Sequence, residues 1–178
     1  MAFDREVPLL PVFVWFYILA FPFWAVGYLL AARRGKDMFY RFVATDLTIH
    51  FICFICFILI PTTNIRPEIA GNTLSEKILA LVYSLDGGNS PSNLFPSIHC
   101  YVSWMCWKGV EGSEKVPKWY QRFSLVFAIL IIISTQVLKQ HYIVDAAAAL
   151  LLVEFFWRFY QKGQRHKWVV HVFAHKKK

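Results

Sequence analysis

Apolar residues do not alternate along this chain. They come in long runs separated by short polar segments. Four runs stand out, Leu9 to Ala32, Val43 to Ile60, Gln121 to Leu138 and Asp145 to Tyr160. A hydrocarbon core of ~30 Å takes about 20 predominantly apolar residues in helical form, so each run predicts a membrane-spanning helix. A fifth stretch, Ser97 to about Val110, is shorter and rich in Trp, Cys and Met, and it has to cross too if the others are to keep alternating sides. The first run is too long for a signal-peptide core and follows Asp4, Arg5 and Glu6 in place of a positive n-region, so it is expected to stay in the protein, with a kink at Pro22. Leu74 to Leu85 is apolar at helical spacing but too short to cross, which predicts an interfacial helix on the outer leaflet. The turn-forming residues from Asp86 to Asn93 then predict a loop.

Composition narrows the class. Of 178 residues, 57% are hydrophobic and 17% charged, against about 25% charged in soluble domains. A domain of this size has too little interior to hide such an apolar excess from water, which excludes a soluble globular protein, a disordered chain and a collagen-like fibre. No repeat or linker divides the chain, so residues 1–178 read as one domain, an all-α polytopic membrane helix bundle of about five crossings plus the interfacial helix. The four cysteines lie in apolar stretches, and Cys53-x-x-Cys56 sits mid-run with no second pair, as packing residues do.

The cations give the topology a direction. Arg33, Arg34, Lys36 and Arg41 follow the first run; Lys108, Lys115, Lys118 and Arg122 follow the short one; Arg158, Lys162, Arg165, Lys167, Lys176, Lys177 and Lys178 form the tail. These fifteen fall on one side, leaving Arg5, Arg66, Lys77 and Lys139 on the other. Positive segments are retained on the cytoplasmic side. The N-terminus, the segment 61–96 and the turn around Lys139 to Val144 are therefore expected outside and the C-terminus in the cytoplasm of a multi-pass cell-membrane protein. The net charge of +8 reads as this orientation signal, with attraction to anionic membrane lipids, and not as a nucleic-acid surface.

Ionisable groups inside a bilayer are costly and point to function. Arg66 follows the outer end of the second run, Ser97 and His99 open the short run, and His141 and Asp145 straddle the start of the last. Ser134 and Lys139 lie at the same level. If the last helix includes His141, the four-residue spacing puts Asp145 on its face, where a carboxylate can hold one imidazole nitrogen and leave the other as base or nucleophile. Pro96 suits the first position of a helix, so Ser97 and His99 sit at a helix N-terminus, where free amides favour an anion. Arg66 supplies a forked permanent charge suited to phosphate. Together they describe a phosphate site with two histidines. Asp46 and His50, four apart, lie too deep in the second run to join it and read as an internal polar pair; Glu154 is equally deep and has no assigned role.

These residues resemble the type 2 phosphatidic acid phosphatase superfamily of membrane lipid phosphatases, whose motifs are KxxxxxxRP, PSGH and SRxxxxxHxxxD. The second stands here as Pro96-Ser97-Ile98-His99, and the third as Ser134-Thr135, five residues, His141, three residues, Asp145. The first survives as Arg66-Pro67, with Leu59 where the Lys would be. Ile98 in place of Gly is also similar to the inositol phosphorylceramide synthase branch. The family commonly has six spans, one more than counted here.

The resemblance implies that His141, oriented by Asp145, attacks phosphorus to give a phosphohistidine. His99 would protonate the leaving oxygen, and Arg66, Ser97, Lys139 and Ser134 would bind the phosphoryl oxygens, with no metal or cofactor. The implied substrate is a lipid phosphate such as phosphatidic acid or phosphatidylglycerol phosphate, or a polyprenyl diphosphate. Three other readings remain open: a phosphotransferase with an alcohol acceptor, a catalytically silent lipid-binding homologue, and a metal enzyme using His99, His141 and Asp145 as a facial triad.

Overall fold

The computed structural model describes residue 4, residues 6–88 and residues 91–174. Arg5, Asn89, Ser90, Lys176, Lys177 and Lys178, which enter the charge count and the loop reading, lie outside the described residues. A 3-10 turn at Pro11–Phe13 leads into α1 (Val14–Ala32), followed by α2 (Lys36–Leu59), α3 (Leu74–Leu85), α4 (Ile98–Val110), α5 (Lys118–Val137), α6 (Ile143–Gln161) and α7 (Lys167–Ala174). The described residues form an all-α bundle with one isolated bridge, Thr63 to Ser92.

Among the described residues three helices are long and apolar enough to cross a membrane: Pro11–Ala32, which runs unbroken through Pro22, Lys36–Leu59 and Lys118–Val137. The other two expected crossings differ for physical reasons. Helix α6 has 19 residues but carries Asp145, Glu154 and Arg158. Helix α4 has only 13 residues and is the centre of the bundle, packed against α1, α2, α5 and α6. Its Cys100, Tyr101, Met105 and Cys106 are fully buried. The Trp, Cys and Met richness of this stretch is thus the composition of a helix that meets protein on all sides.

Close approach makes that centre possible. A Cβ on Gly27 of α1 would lie 2.6 Å from Cys106 Sγ and 2.7 Å from Cys106 Cβ. Small residues let helix backbones meet where lipid supplies no hydrophobic drive.

Polar clasps fasten one end of the bundle. The Arg34 guanidinium donates to the Lys108 and Gly109 carbonyls at the end of α4, and Arg41 donates to the Tyr160 and Gln161 carbonyls at the end of α6. Glu154 now has a role. It accepts from Trp104 Nε1 at 2.9 Å and pairs with Lys108 at 3.0 Å, tying α6 to α4. Asp46 accepts from the Tyr28 hydroxyl at 2.7 Å, and His50 hydrogen-bonds Tyr101, so this inner pair joins α1, α2 and α4.

At the other end α3 packs on the 3-10 turn and on α1. Its start is a capping box: Thr73 Oγ1 accepts from the Glu76 amide at 3.2 Å and the Glu76 carboxylate accepts from the Thr73 amide at 3.1 Å. Leu79 and Tyr83 pack against Val14, Tyr17 and Leu138, while Leu74, Leu81 and Leu85 stay exposed.

Gly27→Ala should destabilise the bundle by ~1–3 kcal/mol, because the new methyl overpacks against a Cβ that cannot swing away. A thermal unfolding midpoint in detergent equal to that of the parent would contradict the close packing of α1 on α4.

Candidate active site

The two histidines expected from the sequence meet. Their ring centroids are 6.5 Å apart. His99 lies in the first turn of α4, whose N-cap is Ser97; the Ser97 hydroxyl accepts from the Cys100 amide at 3.4 Å. Pro96 therefore sits just outside the helix, two positions before its first residue and not at that position as expected. The His99 ring stacks on Tyr17 at 4.2 Å and lies 5.0 Å from Trp24, with Nε2 buried and without a hydrogen-bond partner.

His141 is not on α6, which begins two residues later. It is delivered by the turn that ends α5. Lys139 takes φ +53° there, the Lys139 amide donates to the Gln136 carbonyl, and the Gln140 amide donates to the Thr135 carbonyl. This is the pattern of a Schellman C-cap with lysine in the position glycine usually takes. His141 Nδ1 comes to 3.4 Å from Asp145 Oδ2 without aligning for a hydrogen bond. The same carboxylate oxygen accepts from the Tyr142 amide at 2.9 Å, fixing it at the start of α6. Ser97 and Asp145 are joined directly, the Ser97 amide donating to the Asp145 carbonyl at 3.3 Å. The N-termini of α4 and α6 therefore present Ser97, His99 and Asp145 side by side with His141.

Arg66 is at this end but is already engaged. Its side chain is fully buried, with the guanidinium 4.7 Å over the Tyr83 ring. Nη1 donates to the carbonyls of Tyr83, Asp86 and Gly88, and Nη2 donates to the Asp86 carboxylate and to Gln140 Oε1. Only Nε lacks a partner. Burial pushes the Tyr83 phenol up to about 12, so it remains a donor at neutral pH and holds the Leu138 carbonyl at 2.7 Å.

Two expected phosphate ligands are turned elsewhere. The Ser134 hydroxyl is buried and donates to the Ile131 carbonyl of its own helix at 2.6 Å. The Lys139 ammonium donates to the Asp4 and Val7 carbonyls, so it anchors the N-terminal segment. It still lines a cavity of about 450 Å³ together with Asn64, Arg66, Gln136, His141 and Tyr142.

Gln140 and Asn64 were missed. Gln140 is 1% exposed, and Asn64 Nδ2 donates to the Lys139 carbonyl at 2.6 Å. The only sequence signal was a polar residue next to His141 and another two positions before Arg66.

A family model described as the PAP2 superfamily matches residues 2–158. The chain belongs to the PAP2 superfamily. No match was found among curated proteins or among solved structures. Membership makes it a phosphatase or phosphotransferase-type lipid enzyme in general terms. Its departures from the superfamily motifs have structural counterparts. Thr135, where Arg is usual, donates to the Ile132 carbonyl and lies 3.5 Å from Cys100 Sγ. Leu59, where Lys is usual, is 72% exposed on the apolar outside of α2. Among the described residues no cluster of three or more His, Cys, Asp or Glu side chains has the arrangement of a metal site.

Gln140→Leu removes an acceptor from a buried guanidinium and should lower stability by ~1.5–3 kcal/mol. Gln140→Glu keeps an acceptor and should recover most of it. Equal unfolding midpoints for the parent and the leucine variant in detergent would show that Arg66 does not depend on this contact.

Proposed function

We propose that this PAP2 superfamily member is a multi-pass membrane lipid phosphatase. It acts on a lipid phosphomonoester or diphosphate through a phosphohistidine. One observation carries the reading. His99 Nε2, Arg66 Nε and Gln140 Nε2, all buried and all without an acceptor, gather at one end of the bundle around His141. Buried polar groups are rarely left unpaired, and a phosphoryl group offers acceptors to several at once.

In this reading the free nitrogen of His141 attacks phosphorus, forming a P–N bond as the P–O bond to the lipid leaving group breaks. His99 gives its proton to the departing oxygen. Water then attacks the phosphohistidine, passes a proton to His99 and releases phosphate. Asp145 holds the imidazole of His141 in orientation. The first amides of α4 behind Ser97 and the Arg66 Nε–H stabilise the equatorial oxygens, so fixed donors supply the electrostatics without a metal. Lys139 and Ser134 support this site from behind: Lys139 as a cation at the rim of the cavity, Ser134 by packing.

The five-crossing topology belongs to the same proposal. The cation-rich segments gather at the end of the bundle opposite His141, joined through Arg34, Arg41 and Lys108. That end is cytoplasmic by the retention of positive segments, and the catalytic end faces outward. No nucleic-acid partner is implied.

The test is release of inorganic phosphate from a panel of lipid monophosphates and diphosphates by protein in detergent with EDTA. His141→Ala should abolish release, and His99→Ala should slow it by about 10²–10⁴-fold, the range for a general acid. Undiminished release by the His141 variant would discard the nucleophile. Ile98 in the glycine position of the second motif favours one alternative product: a phosphorylated alcohol formed on adding an alcohol acceptor would make the enzyme a transferase.

A further inference from the structure

The outer face of α6 carries a feature that the catalytic reading leaves unused. At its C-terminal end Arg158, Lys162 and Arg165 surround a groove of about 370 Å³ floored by Leu151, Phe155 and Phe159. Leu151 and Phe155 are 71% and 61% exposed, and the Arg165 guanidinium lies 4.3 Å over the Phe159 ring. The lone carboxylate in the groove, Glu154, is already paired with Lys108 at 3.0 Å and bonded to Trp104, with Arg158 at 3.5 Å. The groove therefore keeps an excess of positive charge at one end and is apolar along the rest. Leu151 and Phe155 also line a second, almost wholly apolar cavity of about 400 Å³ that extends past Ala148 to Phe95 and Pro96. Together the two make one track along α6 from Lys162 to Ala148, ~21 Å at 1.5 Å per residue. One leaflet is about half of a ~30 Å hydrocarbon core, so a full acyl chain fits beside this track.

We infer that this track is a binding site for an anionic phospholipid, its headgroup phosphate held by Arg158, Lys162 and Arg165 and one acyl chain laid on Phe159, Phe155 and Leu151. Charge complementarity and the apolar floor select the occupant. A free anion would leave the floor bare, and a zwitterionic lipid would leave the cations without a net counter-charge. The site lies at the end of α6 opposite Asp145, so it is separate from the catalytic cavity. It rests on the proposed reading of α6 as a membrane-crossing helix and not on any catalytic step.

The test uses the whole chain in a neutral detergent, titrated with phosphatidylglycerol or with phosphatidylcholine of the same acyl composition, with the thermal unfolding midpoint as readout. Phosphatidylglycerol should raise the midpoint, and phosphatidylcholine should not. The apparent affinity should fall about fivefold for each cation removed, in Lys162→Gln and then in Lys162→Gln/Arg165→Gln, neither of which breaks an ion pair seen among the described residues. Rising salt should weaken the effect in the unmodified chain, which keeps the test decisive if the double variant folds poorly. Equal stabilisation by both lipids, unchanged affinity in the variants, or the same shift from inorganic phosphate alone would overturn the assignment. Because the readout is binding, loss of catalysis in His141→Ala leaves the result interpretable.

Discussion

The last carbonyls of a helix have no partners within it, and at the end of α5 little water is at hand to supply them. Donors from three distant segments do so instead. The Leu10 amide takes the Val137 carbonyl, the Tyr83 hydroxyl takes that of Leu138, and the Asn64 side chain takes that of Lys139. Each carbonyl thus binds a different part of the chain: the N-terminal segment, α3 and the loop after α2. His141 follows directly, with its own amide on the Thr135 carbonyl. The ring is placed by a turn whose polar groups are satisfied from every side, a firmer mounting than a frayed helix end.

Arg66 extends the same logic. A buried guanidinium has five N–H donors to satisfy, and here they draw in the end of α3, Asp86 and Gln140. The cation that would meet a phosphate is thereby a structural hub, linking α3 to the turn that carries His141. Asp86 neutralises part of its charge, so in the proposed site less of the attraction for an anion would rest on Arg66 and more on the helix N-terminus at Ser97 and on the histidines. This agrees with a chain in which two of the motif cations are replaced by Leu59 and Thr135.

Much of this was legible in the sequence because the bilayer limits the choices. The limits of α3, 74 to 85, follow from an apolar period with polar ends, and each expected crossing forms a helix within three residues of its expected ends except at the starts of α1, which a 3-10 turn precedes, and of α2. Helix α2 starts at Lys36 instead of Val43, because Asp37 pairs with Arg41 on its first exposed turn and hydropathy does not register such a turn. The meeting of His99 with His141 followed from placing both at one depth. What stayed hidden depends on side-chain direction. Nothing in the pattern tells whether Ser134 turns to the cavity or back to the Ile131 carbonyl, or whether Lys139 reaches a ligand or the Asp4 and Val7 carbonyls. Gln140 was invisible for the same reason, since its importance lies wholly in facing Arg66.

The charge asymmetry also acquires a second meaning. Arg34 and Arg41 were read as signals retained on one side of a membrane, yet they donate to the free carbonyls that end α4 and α6, where the helix dipole favours a cation. In the proposed topology one set of residues therefore both signals orientation and closes helix ends. At the opposite end the same two helices carry Ser97 as N-cap and Asp145 in the first turn, and their positive ends lie beside the histidines. A bundle that puts cations at the C-termini of α4 and α6 leaves their N-termini as the attractive place for an anion. The arrangement of basic residues along the sequence and the position of the proposed phosphate site are thus two consequences of one helix direction.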